Sequence, residues 1–185
     1  KTNVLGLSNL VKIFKKYKLK RFINIQTIHC YGHSSSKKEL KETKANSPFN
    51  SYGISKTAAE NYLLLSDIPF LSLRTSIVFG PYLFNGPIPK FYKNIIEHKK
   101  SNISNTYRDF IYINDFLNLI DIIFSSKNFV RGIFNVGSGK NLSILQVYKL
   151  MIKIINKEDP GFNLIETNND DSKYLLLNCE KIKKE

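Results

Sequence analysis

The chain has 185 residues, enough for one domain with a real core. Its 42% hydrophobic and 23% charged content excludes a disordered tail, and no apolar run reaches the roughly 20 residues of a membrane-crossing helix. A formal charge of +13 points first to nucleic acid or an anionic membrane. Only four of the 28 basic residues are arginine, however, and arginine is the preferred reader of phosphates and base edges. Lysine, isoleucine and asparagine, which share A/T-rich codons, make up more than a third of the chain, and the lysines are spread along its whole length. The charge therefore reads as a compositional bias, and neither a nucleic acid nor a membrane is expected as a partner. The basic amphipathic start, KTNVLGLSNLVKIFKK, has no signal-peptide core or cleavage site. Two cysteines, Cys30 and Cys179, are too few for a disulfide framework. These features predict a cytoplasmic protein.

In chain order, apolar residues at Val4, Leu7, Leu10, Val11, Phe14 and Tyr17 have helical spacing. KLKRFINIQT reads as a buried strand, followed by a polar loop over 33–48 and a long helix from about Ser51 to Leu65. IPFLSLRTSIVFGP reads as a second buried strand, stopped by Gly80-Pro81. A Gly- and Pro-rich loop from Asn85 to Pro89 leads into an amphipathic helix through Ile96. RDFIYI is a short strand, NDFLNLIDIIFSS a helix begun by Asn114 or Asp115, and RGIFNVGSG a strand entering a glycine turn. In SILQVYKLMIKIINK, Ser143 and Gln146 fit a capping box, and the terminal CEKIKKE reads as a lysine-rich helix. Strands alternating with helices imply an α/β fold on a parallel sheet. A doubly wound nucleotide-binding fold normally opens with a strand, a Gly-rich turn and a helix. This chain begins inside a helix, with neither that turn nor an initiator Met, so it is expected to be a fragment cut at both ends.

The strongest chemical constellation is Tyr52 and Lys56, four apart on one helix face, with Thr27 upstream. A tyrosine, whose pKa is ordinarily about 10, is a poor base at neutral pH, and a nearby ammonium stabilises its phenolate. Thr27 falls at the C-terminal end of the first strand, where open α/β sheets place ligands. Its hydroxyl is suited to orient a substrate hydroxyl against Tyr52. His29, Cys30 and His33 supply three metal-ligand types in one short stretch straddling a turn, and no metal is expected. Gly137-Ser138-Gly139 has the form of a phosphate turn but comes late, and reads as structural. No nucleophile elbow accompanies the three histidines.

The neighbours of these residues resemble, in order and spacing, the extended short-chain dehydrogenase/reductase family of NAD-dependent nucleotide-sugar epimerases and dehydratases. NVLGLSNLVKIFKKYKLKRFINIQTIHCYG, NSPFNSYGISKTAAENYL, LRTSIVFGP, NGPIPKF, RDFIYINDF and FNVGSGKNLSI are six ordered matches covering nearly the whole chain. The resemblance implies the C-terminal part of a Rossmann-like doubly wound sheet, with residues 1–81 in the cofactor-binding domain. Residues 82–185 would form mainly the substrate-binding region, with strand 131–136 returning to the sheet. It implies Tyr52 as acid/base, Lys56 as holder of the nicotinamide ribose, and Thr27 as partner of the reacting sugar hydroxyl. Asn3 and Ser76 match positions near the cofactor. Arg108 matches the arginine that grips the diphosphate, and Pro87, Ile88 and Pro89 match a substrate loop. The implied cofactor is NAD, with NADP left open, and the implied partners are a nucleotide-diphosphate sugar and a second copy of the chain in a homodimer.

Departures from the family pattern narrow the expected chemistry. Sugar 4,6-dehydratases carry an Asp-Glu pair directly after the threonine, where this chain has Ile28 and His29. Ile28 can neither donate nor accept the extra proton that water elimination needs. Ile77 stands where many relatives have an asparagine, and HKKSNISNTY is short and lacks the usual G-x-G hairpin. The expectation is an epimerase working by transient sugar oxidation. The alternatives are a keto-sugar reductase of the same family and a non-catalytic binding or scaffold relative, and the isolated fragment is expected to be inactive.

Overall fold

A computed structural model describes residues 2–34, 36–166 and 172–185; Ser35 of the polar loop lies outside the described residues. After a π-helical turn at Thr2–Gly6, α1 spans Leu7–Lys16, β1 Phe22–Thr27, a 3-10 turn Ile28–Tyr31, α2 Ser51–Leu64, β2 Phe70–Thr75 and β3 Ile77–Phe79. The chain continues through α3 (Pro87–Ile96), β4 (Ser101–Ser104), β5 (Tyr107–Tyr112), α4 (Ile113–Ser125), β6 (Gly132–Val136), β7 (Asn141–Ser143) and α5 (Ile144–Ile155). It ends with β8 (Phe162–Ile165), β9 (Tyr174–Leu175) and a 3-10 turn at Ile182–Lys184. The fold is mixed α/β with parallel sheets.

The principal sheet has the order β1-β2-β6, all parallel. β2 is buried along nearly its whole length because it lies between two strands and under helices, so its sequence FLSLRT lacks a strict polar alternation. On one side α1 and α2 close over Leu7, Val11, Phe14, Ala59, Leu63 and Ile68. A separate cluster joins the sheet to α4 through Leu71, Leu73, Phe116, Phe134 and Val136. A second group of strands is ordered β3-β5-β7, antiparallel at β5-β7, with β9 also along β5. β4 pairs with β8, and α3 and α5 bury Phe91, Ile95, Ile103, Phe110, Val147 and Tyr148 beside them.

Three local expectations need correction. The strand expected over 68–81 is two strands in different sheets. At Ser76 the chain still donates its N–H to the Val136 carbonyl (2.8 Å), then β3 leaves β6 and pairs with β5 from Ile77 opposite Phe110. Apolar patterning runs through both pieces, so it carries no sign of the change of partner. CEKIKKE forms only the short 3-10 turn, because its side chains are tied to the sheet: Lys181 donates to the Ile133 carbonyl (2.7 Å) and lies over the Phe134 ring. Pro87, Ile88 and Pro89 belong to the first turn of α3, where a proline's missing N–H costs no helical hydrogen bond. The capping box is present: the Ser143 hydroxyl accepts from the Gln146 N–H, and the Gln146 side chain accepts from the Ser143 N–H.

Candidate active site

β1 and β2 end in register at Thr27 and Thr75, so both strands present their C-terminal ends at one edge of the sheet. Open parallel sheets place ligands at this edge. Thr27 is buried, and its hydroxyl accepts from the His29 N–H (3.3 Å), capping the 3-10 turn. Tyr52 stands on the first turn of α2, half exposed. That helix starts where the Asn50 side chain accepts from the Gly53 N–H (2.8 Å). Gly53 is required by close approach, since a Cβ there would lie 2.9 Å from the His29 carbonyl oxygen. The start of α2 is thereby pressed against the turn that follows β1.

Lys56 donates from Nζ to the carbonyl of Ile25. Burial pulls the pKa of its ammonium down, and the negative charge of Glu60 one turn on works against that shift. Asn3 lies against the same turn of α2, donating to Ser55 Oγ (2.9 Å), which in turn donates to the Tyr52 carbonyl (2.9 Å). Ser76, just beyond β2, has a buried hydroxyl with no hydrogen-bond partner among the described residues. The structure thus gathers Thr27, Tyr52, Lys56, Asn3 and Ser76 around one strand edge and one helix end.

A cleft of about 580 Å³ adjoins this edge, lined by His29 and Ile77, by Pro87 and Lys90 of α3, by Asn102 and Ser104 of β4, and by Arg108 of β5. Arg108 is 5% exposed, and its Nη1 donates to the Tyr107 carbonyl (2.7 Å), which fixes the guanidinium along the cleft wall. Of the three residues expected in the substrate loop, Pro87 lines the cleft, Ile88 packs into the core below, and Pro89 continues the helix turn. Ile77 is in the lining, so the position that lacks an asparagine faces the cleft with an apolar group.

The glycine turn carries an internal carboxylate. Asp109 accepts from the Ser138 N–H (2.9 Å), the Ser138 hydroxyl (2.7 Å) and the Gly139 N–H (3.0 Å). Burial raises the pKa of this carboxyl, and those hydrogen bonds oppose the rise. A Cβ on Gly137 would meet Asp109 Oδ2 at 2.5 Å. The backbone donors that could cradle a phosphate are already engaged by Asp109.

Sequence reasoning assigned no role to the buried polar groups beneath the site. Glu60, 0% exposed, accepts from Arg74 Nη2 (2.6 Å) and from the Ser72 hydroxyl (2.6 Å). The Arg74 guanidinium lies 4.8 Å from the centre of the Tyr31 ring, and the Tyr31 hydroxyl donates to Asn135 Oδ1 (2.7 Å). Gln26, also buried, accepts from the Thr27 N–H (2.9 Å) and donates to the Lys56 carbonyl (2.7 Å). The available signal was the spacing of Lys56 and Glu60, which puts an acid one helical turn from a lysine on a face the sheet covers. The cysteines are buried, and desolvation pushes both thiols up to about 12, which removes them as nucleophiles.

A family model described as the NAD dependent epimerase/dehydratase family matches residues 1–137. A dTDP-D-glucose 4,6-dehydratase of Bos taurus is 31% identical over 195 residues, covering 97% of this chain and 54% of that protein. The Bordetella bronchiseptica enzyme WbmG, solved with NAD, is 37% identical with a TM-score of 0.91, over 100% of this chain and 58% of that one. A Thermotoga maritima UDP-glucose 4-epimerase, solved with UDP-glucose, is 25% identical with a TM-score of 0.86, over 100% of this chain and 62% of that one. The chain spans about half the length of the curated relatives it matches. The family model spans most of the chain, and the mixed α/β fold with its parallel sheet agrees with these matches: the chain belongs to the NAD-dependent epimerase/dehydratase family.

Proposed function

We propose that the full-length protein is an NAD-dependent nucleotide-sugar epimerase in which Tyr52 is the acid/base, Lys56 tunes it and Thr27 orients the reacting hydroxyl. The reading is supported by the position of Thr27 at the end of β1 and of Tyr52 and Lys56 on α2, whose start is pressed against the turn that follows β1, together with the fate of the residue after Thr27. Ile28 is 3% exposed and packs with Cys30, Tyr31, Leu40 and Leu177, so the turn offers the substrate no acid at that position. Water elimination needs such a group; epimerisation through a transient keto sugar needs only one acid/base that works in both directions.

The cofactor fits the residues present. The unpartnered Ser76 hydroxyl, Asn3 and the Lys56 ammonium are suited to hold the nicotinamide ribose end. NAD held by these residues would supply a reversible hydride acceptor for the sugar carbon. WbmG has been solved with NAD and with UDP, which supports a uridine or similar nucleotide on the substrate. Arg108 grips its diphosphate, since a guanidinium matches phosphate oxygens in a fixed fork, and Pro87 to Pro89 shape the wall opposite. Thr27 holds the sugar hydroxyl against Tyr52 while Tyr52 takes its proton, and the same tyrosine gives the proton back after the keto sugar has turned.

The same reading makes the protein a cytoplasmic homodimer paired through α1 and α2, where Leu10, Ile13 and Ile54 are exposed. No helix among the described residues is long and apolar enough to cross a membrane. The test is product analysis by NMR and mass spectrometry after incubating the full-length protein with NAD and UDP-glucose, UDP-N-acetylglucosamine, UDP-glucuronic acid or dTDP-glucose. The reading expects a stereoisomer of unchanged mass with the NAD recovered oxidised. A product lighter by one water contradicts it in favour of a dehydratase, and net consumption of reduced cofactor contradicts it in favour of a reductase.

A further inference from the structure

The three connections that enter the principal sheet meet at the edge opposite the cleft. β1, β2 and β6 run parallel and in register, Phe22 beside Phe70 and Leu71 beside Gly132. Residues 17–21, 65–69 and 126–131, which lead into these strands, therefore lie together at their N-terminal ends. Thr27 and Thr75 end β1 and β2, and a strand of this length spans about 17–20 Å. A contact made by the three connections leaves the cleft open on the far side.

Lysine is spread along the sequence, but the fold creates a local excess at this edge. Lys15 and Lys16 close α1, Lys18 and Lys20 follow in the first connection, and Lys127 and Arg131 stand in the third. All six are exposed, and no ion pair among the described residues engages them. Asp67 is the one carboxylate in the three connections, and Asp121 stands a turn further back on α4. Glu185 approaches Ser126 and Asn128, but it follows Lys183 and Lys184 in the chain. The edge therefore carries a positive charge that its own carboxylates do not balance.

Bulky apolar side chains stand among these cations. Tyr17, Leu19 and Leu65 are 65%, 51% and 84% exposed, and Leu64 and Phe124 are exposed at the ends of α2 and α4. Backbone hydrogen bonds hold the first connection in shape: the Lys18 N–H donates to the Lys15 carbonyl (3.3 Å) and the Leu19 N–H to the Phe14 carbonyl (3.2 Å). Arg21 ties the same connection to the end of α4 through the Phe124 carbonyl (2.6 Å). Cations alone would suit any polyanion. Cations interleaved with leucine and tyrosine suit a lipid surface, where ammonium groups meet headgroup phosphates and apolar tips enter the acyl boundary. A nucleic acid offers no acyl layer, and the Arg21 fork is already engaged by three carbonyls, which leaves Arg131 as the exposed guanidinium.

We propose that this edge is a peripheral docking surface for an anionic phospholipid bilayer, with the cleft facing away from it. Such a contact needs no membrane-crossing helix, and it is independent of which nucleotide sugar the cleft accepts.

The test is cosedimentation of the full-length protein with vesicles of phosphatidylcholine, alone or with about 30% phosphatidylserine. Binding is expected on the mixed vesicles and not on phosphatidylcholine alone, and it should be lost when salt is raised from about 0.1 M to about 1 M. Lys18→Gln/Lys20→Gln should weaken it about 25-fold, about fivefold per lysine. Leu19→Asn should weaken it severalfold at unchanged charge. Lys149→Gln/Lys153→Gln removes the same charge from α5, which packs beside the cleft, and should change affinity by no more than about twofold. Equal losses in the two lysine pairs overturn the proposal, because net charge then suffices. Failure to bind the mixed vesicles overturns it, and so does Leu19→Asn binding as tightly as wild type. Tighter binding to heparin than to the mixed vesicles overturns it in favour of a nucleic-acid-like polyanion.

Discussion

Gln26 and Lys56 are joined by a half-buried hydrogen bond: the Gln26 side-chain N–H donates to the Lys56 carbonyl at 2.7 Å. The other end of the same amide accepts from the Thr27 N–H at 2.9 Å. One side chain near the C-terminal end of β1 thereby sets the backbone of two proposed active-site residues on two different elements. Replacing Gln26 with leucine takes the side-chain acceptor from the buried Thr27 N–H and a second donor from the Lys56 carbonyl, which keeps its place within α2, at about 1–3 kcal/mol in all. Gln26→Leu should be destabilised by that order in urea unfolding and should lower turnover more than UDP affinity. Gln26→Glu can still accept from Thr27 but, when ionised, cannot donate to Lys56. If Gln26→Leu is as stable and as active as the wild type, the clamp is not what positions these residues.

The buried carboxyl of Asp109 makes stability depend on acidity. Burial raises its pKa in the folded state above the ordinary 3.8, so between those two values the folded chain holds more protons than the unfolded one. The contribution of Asp109 is therefore fully present below pH 3.8 and is lost as the pH rises through the folded-state value. Asp109→Asn removes this titration. The stability of the wild type minus that of the variant, followed by denaturant unfolding, should fall as pH rises from 3.8. A difference that is flat or grows with pH contradicts the assignment.

Arg21 closes the C-terminal end of α4, donating to the carbonyls of Ile123 (2.9 Å), Phe124 (2.6 Å) and Ser126 (2.5 Å). A cation there also meets the negative end of the helix dipole. Arg21→Ala should cost about 1–3 kcal/mol in unfolding free energy. Arg21→Lys should recover only part, because an ammonium cannot reach three carbonyls with a planar fork. Full recovery by lysine would mean that charge alone, without geometry, does the capping.

Much of this architecture can be read in the sequence. The alternation of apolar strands and amphipathic helices places α1, β1, α2, α3, α4, β6 and α5, and the capping box at Ser143 and Gln146 is found where its spacing predicts. What periodicity cannot show is partnership. The segment 68–81 has one continuous apolar pattern yet serves two sheets, because the change at Ser76 depends on Val136 and Phe110, far away in the chain. β7, β8 and β9, of two to four residues, are too short for any pattern. The spacing of Tyr52 and Lys56 and the place of Thr27 were legible locally. Gln26, Glu60 and Arg74 were not, since a buried polar residue reveals its role only through the partners that the fold brings to it.

Lys56 and Thr27 should differ in their effects on catalysis. Burial lowers the Lys56 pKa, and the role proposed for its ammonium in the loaded enzyme is to stabilise a phenolate on Tyr52. Lys56→Met should slow turnover and move the pH optimum upward, as Tyr52 loses its cationic neighbour. Thr27→Val should slow turnover less and leave the pH optimum in place, because it removes an orienting hydrogen bond and keeps the base. The pH–rate profiles of the two variants separate these roles, and an unmoved optimum in Lys56→Met contradicts the tuning role of the lysine.

Tyr52 is the group proposed to move the proton of the reacting hydroxyl. Its most direct test is the turnover of the preferred nucleotide sugar by full-length Tyr52→Phe with NAD bound, measured beside the affinity for UDP. Phenylalanine keeps the ring against His29 and removes the only group proposed to exchange that proton. Turnover should fall about 10²–10⁴-fold, with UDP affinity preserved if Arg108 and the first turn of α3 hold the nucleotide as proposed. Near-normal turnover by Tyr52→Phe would contradict it.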